Sequence, residues 1–99
     1  MTPKLAPAAR TRALKRLSGW TLAEDGLSIS RSYRFADFIA AFGFMSSAAL
    51  IAQQMDHHPE WFNVYGRVDV RLTTHDAGGL TQKDIDLARA MDTRAGAAR

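Results

Sequence analysis

Two stretches of the chain alternate apolar and polar residues one by one. Leu27, Ile29, Arg31, Tyr33 and Phe35 interleave with Ser28, Ser30, Ser32 and Arg34, and Val68, Val70, Leu72 and Thr74 interleave with Asp69, Arg71, Thr73 and His75. A period of two predicts strands with one buried face, and the second strand carries His75 on its polar face if the alternation runs to its end. Each is preceded by a shorter strand-like run, residues 20–24 ahead of Asp25-Gly26 and residues 61–65 ahead of Gly66-Arg67. Asp-Gly is a strong hairpin signal because Gly takes positive φ readily, so two hairpins are expected.

Between the hairpins the period changes. Over residues 35–55, Phe35, Phe38, Ile39, Phe42, Met45 and Ala49 recur at helical spacing, and Ala36-Asp37 puts an acid at the positive end of the helix dipole. The opposite side holds Ala40, Ala41, Ala48 and Ile51, which are also apolar. A helix apolar on most sides is normally covered on more than one, and a second subunit is one candidate cover. Pro59 disfavours the α conformation at His58 and is expected to end this helix. Thr81 with Asp84 three residues on has the form of a capping box, and Ile85, Leu87, Ala88 and Met91 supply the apolar residues of a last helix. Residues 8–17 read as a short basic helix. The order is α-β-β-α-β-β-α in one domain over residues 1–99. The predicted class is α+β, with a four-stranded antiparallel sheet and helices packed on one face. Residues 1–13 and 93–99 are expected to be flexible tails.

Charge and composition remove several function classes. The chain carries a formal charge of +3, yet residues 17–93 hold only six basic against ten acidic side chains. The basic charge is concentrated at the ends, so a solvated arm is expected and nucleic-acid binding is not. The absence of cysteine excludes disulfides, thiolate metal ligands and a cysteine nucleophile, and fits a cytoplasmic setting. The longest uncharged run, Phe38–Met55, is 18 residues and near the length of a membrane span. Gly43, Ser46, Ser47, Gln53 and Gln54 interrupt it, so it is read as a buried helix with no membrane partner.

All three histidines, His57, His58 and His75, fall within 19 residues of one another. Imidazole is the side chain whose ordinary pKa puts its charge change near neutrality. A helix C-terminus at His57-His58 would favour the imidazolium form. Three readings stand open: acid–base catalysis on a bound substrate, a three-histidine zinc site with an open position, and polar caps at a helix end and a loop. The aromatic residues Trp20, Trp61, Phe62 and Tyr65 are read as core more often than as platform, and exposure is not legible from the sequence. No phosphate-cradling glycine loop and no serine nucleophile elbow is present.

The run Asp56-His57-His58-Pro59-Glu60-Trp61-Phe62-Asn63-Val64-Tyr65, then Thr74-His75-Asp76, Gly78-Gly79-Leu80-Thr81 and Asp84, resembles the pterin-4a-carbinolamine dehydratases. The family pattern is His-His-Pro, an aromatic after five further residues, a His after nine more and an Asp eight beyond. Tyr65, His75 and Asp84 fill those places, and the resemblance covers residues 14–92. It implies dehydration of a 4a-hydroxytetrahydropterin to the quinonoid dihydropterin, which recycles the cofactor of aromatic amino-acid hydroxylases, with no metal and no cofactor. It implies His57 and His75 as general acids toward the departing hydroxyl and His58 in pterin binding and proton removal from ring nitrogen. Trp20, Gln53, Pro59, Trp61, Thr74 and Asp84 are implied as substrate-binding positions. It also implies a homodimer or homotetramer, and the alternative of a non-catalytic dimerisation adaptor on the same fold. One departure stands out: the family usually has an acid where this chain has Gln53, which hydrogen-bonds but carries no charge. Retained activity, weakened at most, follows from that.

Overall fold

The computed structural model describes residues 2–98. Its elements are α1 (Pro7–Leu14), β1 (Thr21–Leu22), β2 (Ile29–Arg34), α2 (Phe38–Met55), β3 (Glu60–Val64), β4 (Arg67–Leu72), a 3-10 turn (His75–Ala77) and α3 (Gln82–Ala98). The four strands form one antiparallel sheet in the order β1-β2-β4-β3. The α+β class and the element order are those the sequence predicts. The two hairpins meet at β2 and β4, which pair from Ile29 opposite Leu72 to Arg34 opposite Arg67. This long-range pairing makes the alternation of both strands coincide on one face. Ile29, Tyr33, Val68, Val70 and Leu72 are buried there, while Ser30, Ser32, Arg34 and Arg71 stay exposed on the other side. Each fully buried aliphatic side chain stabilises the fold by about 1.5–3 kcal/mol.

The core face of α2 is not the stripe of large residues. Ala41, Phe44, Ala48 and Ala52 are buried, whereas Phe38, Ile39, Phe42 and Leu50 are among the most exposed large apolar residues of the chain. Small residues let α2 lie close to α3 and the sheet, with Phe44 packing on Tyr33 and Phe35 at ring separations of 4.7 and 5.1 Å. Among the described residues α2 is the one helix long and apolar enough to cross a membrane by length and composition. Asp37 caps its N-terminus by accepting the Ala40 N–H at 2.9 Å.

The helix ends earlier than Pro59 would impose. Asp56 sits in the left-handed conformation at φ 52°, ψ 44°, and its N–H and that of His57 return to the carbonyls of Gln53 and Ala52. This is a Schellman-type cap, with an aspartate in the left-handed position usually taken by Gly or Asn. Gly66 in the β3–β4 turn is fixed by close approach instead: a Cβ there would collide with the carbonyl of Phe35, whose N–H donates to Gly66 O at 2.7 Å.

Residues 4–10 and 93–98, which the sequence suggests as flexible tails, are built into the structure. Lys4 bridges Thr81, Leu5 N–H donates to Leu80 O at 2.8 Å, and the Arg10 guanidinium donates to Gly26 O at 3.1 Å. At the other end α3 continues to Ala98 with Ala95 buried. The basic segment thus folds back on the body rather than extending as an arm. β4 stops at Leu72, so His75 belongs to the 3-10 turn and not to the strand.

Candidate active site

The cap at Asp56 turns the chain so that the two adjacent imidazoles part. His57 is drawn inward and is 8% exposed, and His58 stays at the surface. The Nε2 of His57 meets Asp84 Oδ1 at 2.5 Å. Asp84 lies in the first turn of α3 and is wholly buried. Its other oxygen accepts from the Thr74 hydroxyl at 2.7 Å and from the Thr81 N–H at 2.9 Å. The Thr74 and Thr81 hydroxyls are 2.8 Å apart, and Thr81 Oγ1 in turn accepts the Lys83 N–H at 3.2 Å. Three donors converge on one buried carboxylate, which satisfies a group that would otherwise be costly to bury. The carboxylate acceptor fixes the proton of His57 on Nε2 and leaves Nδ1 for another partner. The capping residue read from the sequence is therefore also the orienting group of His57.

His58 Nε2 lies 2.9 Å from Gln53 Oε1, one turn back on α2. His75, 80% exposed at its side chain, has Nε2 3.3 Å from Glu60 Oε2. The same Glu60 oxygen accepts from Arg71 NH1 at 2.8 Å, and Glu60 and Arg71 face each other across β3 and β4. Each imidazole thus has its own oxygen partner: a buried carboxylate, a neutral amide and an exposed carboxylate.

A cleft of about 430 Å³ gathers residues 56–58 on one side and 73–77 on the other, with Lys83 of α3. All three histidines and Thr74 line it. Thr74 N–H donates to Gly79 O, and Gly79 N–H donates back to Thr74 O, so the loop bearing His75 closes on itself. The other predicted residues are placed differently. Asp84 and Gln53 do not line the cleft but touch residues that do: Asp84 contacts His57 and Thr74, and Gln53 contacts His58. Pro59, half-buried, joins His58 to β3. Trp61 packs partly against the core and lines a separate shallow hollow with Ser30, Glu60 and Val70. Trp20 is in the core: it meets Tyr33 edge to face at 6.2 Å, and its Nε1 donates to Asp92 at 3.1 Å. Asp92 also receives Arg31 and the Tyr33 hydroxyl, which makes this cluster a tie between α3 and the sheet, away from the cleft. Neither tryptophan that the resemblance implies as substrate-binding lines the cleft, since the Trp20 indole is held by Asp92 and Trp61 packs against the core. Among the described residues, no group of three His, Cys, Asp or Glu side chains is placed to hold a metal ion.

A family model described as pterin 4 alpha carbinolamine dehydratase matches residues 3–94. The chain belongs to that family. Among its relatives, a pterin-4-alpha-carbinolamine dehydratase of Rhizobium rhizogenes is 62% identical over 92 residues, covering 93% of this chain and 91% of the relative. One of Novosphingobium aromaticivorans is 58% identical over 90 residues, covering 91% and 94%. A crystal structure of a transcriptional coactivator/pterin dehydratase from Brucella melitensis superposes with a TM-score of 0.90 at 49% identity, covering 94% of this chain and 99% of that one. The dehydratase family is named for a hydro-lyase activity, and the three imidazoles at the cleft fall on the residues that carried the resemblance.

Proposed function

We propose that this chain dehydrates a 4a-hydroxytetrahydropterin to the quinonoid dihydropterin and water, and so recycles the tetrahydropterin cofactor of aromatic amino-acid hydroxylases. The observation that carries the reading is the His57–Asp84 pair opening onto a cleft shared with His58 and His75. Loss of water breaks the bond between C4a and oxygen, delivers one proton to that oxygen and removes one from ring nitrogen. Imidazoles are suited to both transfers near neutral pH. His57, held at Nε2 by Asp84, presents Nδ1, and with His75 it serves the departing hydroxyl. His58 takes the proton from nitrogen. The backbone at Thr74 and His75 holds the pyrimidine edge of the pterin. The test is the rate of carbinolamine loss with purified protein, alongside His57→Gln and His75→Ala. Acceleration by the wild type and a fall of about 10²-fold in a variant lacking one proton-transfer group support the reading. A wild type no faster than buffer, with both variants unchanged, would sink it.

We further propose that a second copy of the chain covers the outer face of α2. What favours this is the exposure of Ile39 and Leu50, 81% and 70%, on a helix whose other face is packed. Contiguous apolar surface of this kind marks an interaction site. Light scattering is expected to give a multiple of 10.9 kDa, and Ile39→Glu to lower it. A monomer at micromolar concentration would refute the second-copy assignment. Repeating the measurement with a candidate transcription factor tests the adaptor alternative, which the similarity to the Brucella coactivator/pterin dehydratase supports.

A further inference from the structure

We infer that Glu60 is a positioning residue for His75, so that the exposed imidazole of the cleft is steered by a carboxylate of its own, supplied from β3. The inference rests on the dehydratase reading above for what His75 does, but not for where it is held.

Three observations carry it. Glu60 Oε2 lies 3.3 Å from His75 Nε2. The same oxygen accepts from Arg71 Nη1 at 2.8 Å, so the carboxylate is also tethered to β4. Glu60 and Arg71 are direct cross-strand partners, and β3–β4 is a regular antiparallel pair, so the tether is set by backbone register rather than by chance contact of long side chains. Pro59 precedes Glu60, and its ring fixes φ and so restricts the approach of the chain to β3. The result is a line of Arg71, Glu60 and His75 leading from the open face of the sheet to the cleft. With Nε2 turned toward Glu60, His75 keeps Nδ1 for the substrate, the same division of labour that Asp84 imposes on His57. The ring of a largely exposed histidine would otherwise sample several rotamers, each a loss of productive geometry at the transition state.

The test has two arms. In the kinetic arm, Glu60→Ala is expected to lower kcat about five-fold with KM held, the upper end for one exposed pair, and Glu60→Gln, which keeps an acceptor oxygen, to recover most of it. In a His75→Ala background Glu60→Ala is expected to cost nothing further, since its action passes through the ring. In the spectroscopic arm, without substrate, the ¹⁵N resonance of His75 Nε2 is expected to shift in Glu60→Ala while that of His57 Nε2 does not. An unmoved His75 resonance, an effect on KM alone, or equal slowing with and without His75 would overturn the inference. A shifted resonance in a protein that does not dehydrate the carbinolamine would uphold the placement of His75 and overturn the dehydratase reading instead.

Discussion

His57 and His75 face the same cleft from opposite kinds of surroundings. His57 is packed inside the protein against a carboxylate that has no solvent exposure and that two further donors hold in place. His75 projects from a short loop into solvent, and its partner Glu60 is itself half exposed and shared with Arg71. Removing one member of a buried, charge-assisted pair strands the rest and costs about 3–5 kcal/mol, whereas exposed pairs are worth about 0.2–1 kcal/mol. The difference teaches that one imidazole is part of the fold and the other is an adjustable attachment to it. Substitutions around His57 should register in stability and rate together, and substitutions around His75 in rate with little change in stability.

That contrast can be broken most forcefully at Asp84. Asp84→Ala is expected to lower unfolding free energy by about 3–5 kcal/mol, measured by urea titration, and to abolish most activity. An unchanged midpoint would place His57 on the same footing as His75. Thr74→Val removes one of the three donors on Asp84 while keeping the shape of the side chain, and a loss of about 1–2 kcal/mol is expected in the same titration. Arg71→Ala releases Glu60 from its tether. Its stability change should stay below about 1 kcal/mol by thermal melting, and a larger drop would show that the exposed side is structural after all. The smallest effect is expected from Gln53→Glu, which gives His58 a carboxylate in place of an amide. A rise in dehydration rate of about two- to five-fold is expected from one exposed charge pair, and a fall would mean that His58 works best beside a neutral group.

The strand pattern and the position of the histidines were readable because they depend on local spacing. Ile29 and Tyr33 on β2, and Val68, Val70 and Leu72 on β4, alternate as buried residues must, and three imidazoles cannot be overlooked in a chain this short. The direction of α2 was not readable. Periodicity shows that a helix has stripes, but with alanines on one side and phenylalanines on the other both stripes are apolar, and the tight packing of α2 on α3 chose the small one. Pro59 signals a helix end in the sequence, but the left-handed Asp56 that ends α2 earlier is a backbone conformation with no fixed residue signature. The family resemblance implies Trp20 at the substrate, while its indole N–H donates to Asp92, a long-range tie that a single sequence does not reveal. The link of Glu60 to His75 is not legible in the sequence, because it runs through the register of β3 with β4.

The Thr73 hydroxyl donates to the carbonyl of Leu27 at 2.6 Å, across 46 residues of chain. Thr73 immediately precedes the closed loop of Thr74 to Gly79 that carries His75, and Leu27 ends the turn of the first hairpin. The first third of the chain contributes no imidazole to the cleft, yet it holds the hinge from which one of them hangs. In the language of local opening, the loop cannot swing away from the cleft without first breaking with the hairpin. Amides of the 74–79 loop should therefore exchange with solvent on the schedule of β2 rather than of an ordinary surface loop, so that residues far from any chemistry set how long the site stays assembled.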